Sequence, residues 1–294
     1  RGPYNFDTQG VPGISSGIDA NGRLQQPTTR WAGIMRSLVT NDFEEANIEY
    51  IEMWLMDPFH YEENENGGKL YINLGNISED ILRDGRQSFE NGLPTSTEIE
   101  NVDTTAWGRV PVLPRITEGF ANDPANARQY QDVGLDGMGR NLYGMQSEAY
   151  LNALEDPAND DYRFYKSQVY DEQQSGILER YKKFNNPEGN SQNTEGEDGM
   201  TAAEQLPDME DINRDYTLSE SEAYFQYVLD LDPQSMEVGQ NFITDIKEST
   251  VKLKNEEEET VKWYRMKIPI REFSDKIGAI QDFKSIRFMR MFMR

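Results

Sequence analysis

Alternation of apolar and polar positions is the clearest signal in this chain, and it gathers towards both ends. Glu49-Tyr50-Ile51-Glu52-Met53-Trp54-Leu55-Met56 is the first strong β-strand, and Asp57-Pro58 ends it. Lys69-Leu70-Tyr71-Ile72-Asn73-Leu74 follows, with Leu70, Ile72 and Leu74 on one face, and Gly75-Asn76 breaks it. Ile77 to Phe89 reads as a short helix or irregular turn region, closed by Asn91-Gly92-Leu93-Pro94. Strands return at Ala223–Leu229, Thr250–Lys254 and Thr260–Ile270, with Glu256–Glu259 as an acidic hairpin tip. The run from Ser285 to Arg294 alternates apolar and basic residues and forms the last strand.

Between these ends the pattern changes. Residues 95–145 are broken by Pro and Gly. Ser147–Leu154 reads as a short helix, and residues 160–183 as one or two more, interrupted at Gly176. Strand-rich parts at about 28–115 and 207–294 around an insertion at about 116–206 predict a mainly β fold. The expected form is one jelly-roll-like β-sandwich carrying a long loop-and-helix insertion, with its terminal strand returning into the sheet. An α+β domain with segregated helices is the alternative. Both termini read as cut from a longer chain.

The insertion is long for a loop in a sandwich, and it is rich in aromatic residues. Tyr150, Tyr162, Phe164, Tyr165, Tyr170, Tyr181 and Phe184 must pack on the sandwich itself or on a partner, because a solvated linker carries few such side chains. They are the candidate partner-contact residues.

Charge narrows the partners. The chain has 29 Lys and Arg against 53 Asp and Glu, a formal net charge of −24. It therefore repels nucleic acid and anionic lipid, and basic proteins, cations or neutral sugars suit it better. There is no Cys and one histidine, His60, so disulfides, thiol nucleophiles and His-rich metal sites lack their parts. Glycosidase chemistry needs two carboxylates about 5–9 Å apart across a cleft. Adjacent acids such as Glu44-Glu45 and Asp160-Asp161 read instead as solvated faces in so acidic a chain. The expectation is a chain with no catalytic residues and no cofactor. Calcium is the one candidate ion: Asp132-Val133-Gly134-Leu135-Asp136-Gly137 offers Asp132 and Asp136 in a loop-like spacing, but lacks acids at two other ligand positions. Trp107, between Ala106 and Gly108, is the candidate for stacking on a sugar, whereas Trp54 and Trp263 lie in apolar strands and are expected in the core.

Several long segments resemble the SprA/Sov family. They include RWAGIMRSLVTNDFEEANIEYIEMWLMDPF (Arg30–Phe59), GKLYINLGNISEDILRDGRQSFENGLP (Gly68–Pro94), RYKKFNNPEGNS (Arg180–Ser191) and PDMEDINRDYTLSESEAYFQYVLDL (Pro207–Leu231). Val261–Ile270 and Asp282–Met293 add to them. The resemblance implies a fragment of a giant outer-membrane β-barrel, the translocon of the Bacteroidetes type 9 secretion system, which also serves gliding motility. It implies a water-exposed, non-catalytic domain of the cell envelope, on the cell-surface or periplasmic side, that shapes the channel or docks partner proteins. Implied partners are other outer-membrane and periplasmic components of that system, secreted cargo and the rest of the chain's own barrel. A carbohydrate-binding jelly-roll module at the cell surface is the alternative.

Overall fold

The computed structural model describes residues 25–61, 67–98, 100–105, 109–114, 116–125, 127–134, 163–181, 206–253 and 256–294. The chain divides into two compact units, one built from Thr28–Ser78 with Ser219–Arg294, the other chiefly from Glu79–Leu218.

The first unit is built on antiparallel sheet, with a 3-10 turn at Pro233–Ser235. Its strands are β1 (Ala32–Ser37), β2 (Tyr50–Met56), β3 (Gly68–Asn76), β6 (Ala223–Leu231), β7 (Ile243–Lys252), β8 (Glu258–Pro269), β9 (Asp275–Ile277) and β10 (Phe288–Met293). Five form one sheet in the order β1-β10-β3-β6-β9, and three form another in the order β2-β8-β7. The mainly β expectation holds, and the terminal strand does return into the sheet: β10 lies between β1 and β3.

Alternation decides what meets in the core. Leu70, Ile72 and Leu74 of β3 share a face with Phe225, Tyr227 and Leu229 of β6. From the other sheet come Ile243, Tyr264, Met266 and Ile268, and all these side chains belong to one buried cluster. Phe283 stacks on Phe225 at 4.1 Å between ring centroids. Tyr227 is wholly buried, so its hydroxyl needs a partner; it donates to the Ile270 carbonyl at 2.5 Å. Burial alone raises the Tyr227 hydroxyl well above its ordinary pKa.

Strand β1 was not expected, because Gly33 interrupts its pattern. The structure gives the reason: a Cβ on Gly33 would lie 2.6 Å from the Phe292 Cβ and from the Met291 carbonyl oxygen. Glycine is there to let β1 approach β10. At the far edge of the same sheet Gly278 turns the chain after β9 with φ +68, where a Cβ would run into the Glu222 carbonyl oxygen.

The second unit has little regular structure. Its described elements are a short hairpin, β4 (Val102–Thr104) with β5 (Arg109–Pro111), a 3-10 turn at Glu90–Gly92, and three helices of four or five residues: α1 (Arg128–Gln131), α2 (Gln168–Glu172) and α3 (Ile177–Tyr181). The one or two helices expected around Gly176 are found as two, α2 and α3. The helix expected at Ser147–Leu154 lies outside the described residues. No helix among the described residues is long and apolar enough to cross a membrane.

Candidate functional site

A unit with so few ladders must satisfy its backbone N–H groups in some other way. Here buried carboxylates do it. Glu79 accepts from the amides of Ile212 and Asn213 at 3.0 and 3.3 Å. Glu210 accepts from Leu82 and Ser88, both at 2.8 Å. Glu90 accepts from Val133, Gly134 and Asp208 at 3.0, 2.6 and 2.7 Å. Asp211 takes the amides of Asp215 and Tyr216 and the side-chain amide of Gln87. These acids join residues 79–93 to residues 132–134 and 207–217, stretches far apart in the chain. A carboxylate is suited to this work because it accepts through two oxygens and donates nothing.

The same burial makes ionisation costly. Glu90 is pushed well above the usual carboxylate range by burial, helped by the nearby charges of Asp208 and Asp132. Glu210 is raised to about 7 by burial, with Asp80 and Asp84 adding repulsion against its amide partners. Asp84 is raised as well, first by burial and then by Asp80, and its Oδ2 is buried without a hydrogen bond. Oxygen atoms of Asp80, Asp84 and Glu210 lie within 4.8 Å of one another, and among the described residues this is the set that could hold a cation. Asp80 and Asp84-Gly85 carry a spacing that a sequence reading can find; Glu210 arrives from a distant segment that no spacing identifies.

Asp132, the sequence candidate for calcium, is buried and accepts from Arg128 Nε at 2.9 Å. Asp136 lies outside the described residues, as do Tyr150, Tyr162 and Phe184 of the aromatic set and Trp107.

The remaining aromatic candidates come together. Tyr165 stacks on Tyr181 at 5.2 Å, and Phe164 tilts against Tyr165 at 4.6 Å. Tyr170 is buried, with the guanidinium groups of Arg163 and Arg180 at 5.8 and 6.0 Å from its ring. Arg180 fixes the arrangement. It donates to Asp171 at 3.0 Å, to the Ser175 carbonyl at 2.9 Å and to the Tyr165 carbonyl, and so ties α2 to α3. Burial raises the hydroxyls of Tyr170 and Tyr181, yet Tyr181 keeps 42% of its surface in solvent. Four of the seven expected contact residues thus form one local cluster with an exposed ring at its edge.

One expectation is corrected in the first unit. Trp54 is not in the core: it is 41% exposed, and Tyr50, on the same face, is 43% exposed. Trp263 is half-buried on that face as well, in a row with Met56 and Lys247. The register shows why. Tyr264, Met266 and Ile268 alternate into the core, so Trp263, Arg265 and Lys267 point outward. Lys267 Nζ lies 4.0 Å from the Tyr50 ring and Lys247 Nζ 5.2 Å from Trp54, while Arg265 pairs with Glu52 at 2.8 Å. The charged residues of matching parity were the signal for this face.

The described structure is mainly β, and comparison of sequences places it in a motility- and secretion-related class. The family model SprA_N, motility related/secretion protein, matches residues 140–294, just over half of the chain, and the chain belongs to that family. No curated protein matches it.

Proposed function

We propose that this chain is a non-catalytic, water-exposed part of an outer-membrane protein-export channel of type 9 secretion and gliding motility, where it docks partner proteins or shapes the channel. Family membership supports the secretion role. The observation that carries docking is the α2–α3 pair, where Arg180 and Asp171 lock a short scaffold that leaves Tyr181 exposed and stacked on Tyr165. Rigid tyrosines, half buried and half wet, are what protein interfaces favour. Other components of the secretion complex, cargo and the protein's own barrel are the partners this reading implies, at the cell envelope. The candidate of the glycan alternative, Trp107, lies outside the described residues, and the exposed rings of Tyr50 and Trp54 each carry a lysine ammonium over them.

The test is replacement of residues 140–190 by a short Gly/Ser bridge in the full-length protein. Normal assembly with lost secretion or a lost partner on pull-down is the expected result. Normal folding, assembly and secretion together would remove the docking role, and loss of folded protein would assign the segment to packing. The double substitution Tyr165→Ala, Tyr181→Ala keeps the reading testable in that last case.

A further inference from the structure

Strand β2 is the end strand of the three-stranded sheet, and its hydrogen-bond phase shows which groups it leaves over. Ile270 N–H donates to the Glu49 carbonyl and Asp57 N–H donates to the Lys262 carbonyl, each at 2.9 Å. Residues of antiparallel strands alternate between bonded and non-bonded pairs. In the observed register the odd positions of β2, Ile51, Met53 and Leu55, therefore bond to β8. The backbone N–H and C=O groups of Tyr50, Glu52, Trp54 and Met56 point the other way, and no strand among the described residues pairs with them.

An open edge is normally blunted by inward charges, Pro or a bulge. Strand β7, at the other side of this sheet, follows that rule with Asp245, Lys247, Glu248 and Lys252 and a bulge near Ile243. Strand β2 does not. It has one charged residue, Glu52, already neutralised by Arg265. Its inward side chains Ile51, Met53 and Leu55 are only partly buried, and its outward Tyr50 and Trp54 are exposed. Both faces of the strand are thus apolar and unfinished at the open side.

We infer that β2 accepts an extended segment of a partner polypeptide as an added antiparallel strand. Charge selects the kind of segment. Apart from Glu52, which Arg265 neutralises, β2 is apolar; exposed Glu45 and Glu49 precede it, Asp57 follows it, and the whole chain carries −24. The matching strand is apolar at alternate positions with basic flanks. A second copy of this chain brings a further −24 and is disfavoured. Backbone pairing supplies the affinity in such an addition, and alternate side chains supply the selectivity. The inference rests on the docking role only in taking the partner to be a polypeptide. It concerns another unit from the aromatic helix pair, so either can fail while the other stands.

Amide hydrogen exchange on the 294-residue chain tests it. Three blocked seven-residue peptides serve as probes: alternating valine and threonine with lysine at both ends, the same with glutamate ends, and the lysine form N-methylated on the edge that would face β2. In the chain alone, the amides of Tyr50, Glu52, Trp54 and Met56 should exchange fast while those of Ile51, Met53 and Leu55 are protected. Saturating lysine-ended peptide should slow the first four by about tenfold or more, the glutamate form less, and the N-methylated form not at all. Trp54→Pro, which removes an N–H that no described residue pairs with, should abolish the protection. Four amides already slow in the chain alone, no slowing at saturation, slowing indifferent to N-methylation, or protection that grows with protein concentration alone would each overturn the inference. The N-methylated arm needs no variant, so a Trp54→Pro chain that fails to fold does not remove the test.

Discussion

Glu210 is an acid held where its charge is unwelcome, and this gives the second unit a pH dependence of known sign. Its pKa is about 7 in the folded chain against an ordinary 4.5. Between those values the folded state binds more protons than the unfolded state. Stability is therefore fully present below about 4.5 and is lost as pH rises through 7. The contribution is on the order of 3 kcal/mol, because a tenfold change in proton affinity between the folded and unfolded states is worth about 1.4 kcal/mol. Glu90, raised in the same direction, adds to the slope. Protection of the Leu82 and Ser88 amides, followed by hydrogen exchange from about pH 5 to about pH 8 after correction for intrinsic rates, should fall with pH. Glu210→Gln should flatten the fall. An unchanged slope in that variant would assign the effect to the other raised acids, Glu90 and Asp84. Truncations in the first unit should separate the two faces of β8 in the same residue-by-residue way. Met266 is fully buried, so Met266→Ala should cost about 2–5 kcal/mol. Trp263, half-buried on the outward face, should cost only about 1–2 kcal/mol when cut to Ala. Denaturant titration measures both, and a larger loss at Trp263 than at Met266 would put the tryptophan inside after all.

At the scale of elements, β1 and β10 meet only because Gly33 has no side chain. Gly33→Ala places a methyl 2.6 Å from Phe292 Cβ and from a backbone carbonyl. It should destabilise the chain by about 1–3 kcal/mol, as overpacking does. Thermal unfolding within error of the parent chain would show that β1 can shift away. This strand also marks a limit of what was legible. Strands β3, β8 and β10 are readable from alternation, β2 and β6 from their apolar, β-favouring bulk, and α2 and α3 from the break at Gly176. Strand β1 was not, because its glycine answers to Phe292 on a strand at the other end of the sequence. Trp54 reads as core in the sequence because β2 is apolar at nearly every position, so its own pattern names no inside. The charges that do name it, Arg265 and Lys267, sit on β8. The carboxylate network was illegible for a similar reason. In a chain with 53 acids nothing local distinguishes Glu90 or Glu210 from a solvated one. What distinguishes them is the set of amides brought from segments that the fold alone makes neighbours. The helix pair was legible as helices and aromatic mass; the part played by Arg180 in joining them was not.

For the molecule as a whole, charge acts in opposite directions on folding and on docking, and salt separates the two. A net charge of −24 repels itself, and compaction brings the like charges closer. Two of the ion pairs that could offset this are exposed: Arg265 with Glu52 and Arg86 with Asp103 leave roughly two-fifths to half of each side chain in solvent. Such pairs contribute about 0–1 kcal/mol each and weaken in salt. The general repulsion involves far more charges and is screened by the same salt, since the Debye length falls from about 30 Å at 0.01 M to about 3 Å at 1 M. Screening of repulsion should win, so the melting temperature should rise as sodium chloride is raised across that range. Docking at the β2 edge should respond in reverse. Its apolar pairing is indifferent to salt, but the attraction between an acidic chain and a basic-flanked strand is not. The lysine-ended peptide should therefore bind more weakly in high salt, mainly through a slower association rate, while the chain itself becomes more stable. Measured together by calorimetry and stopped-flow, the two trends should diverge. A melting temperature that falls with salt would mean that attractive pairs dominate the fold. Peptide association unchanged by salt would mean that the acidic surroundings of β2 play no part in choosing its partner.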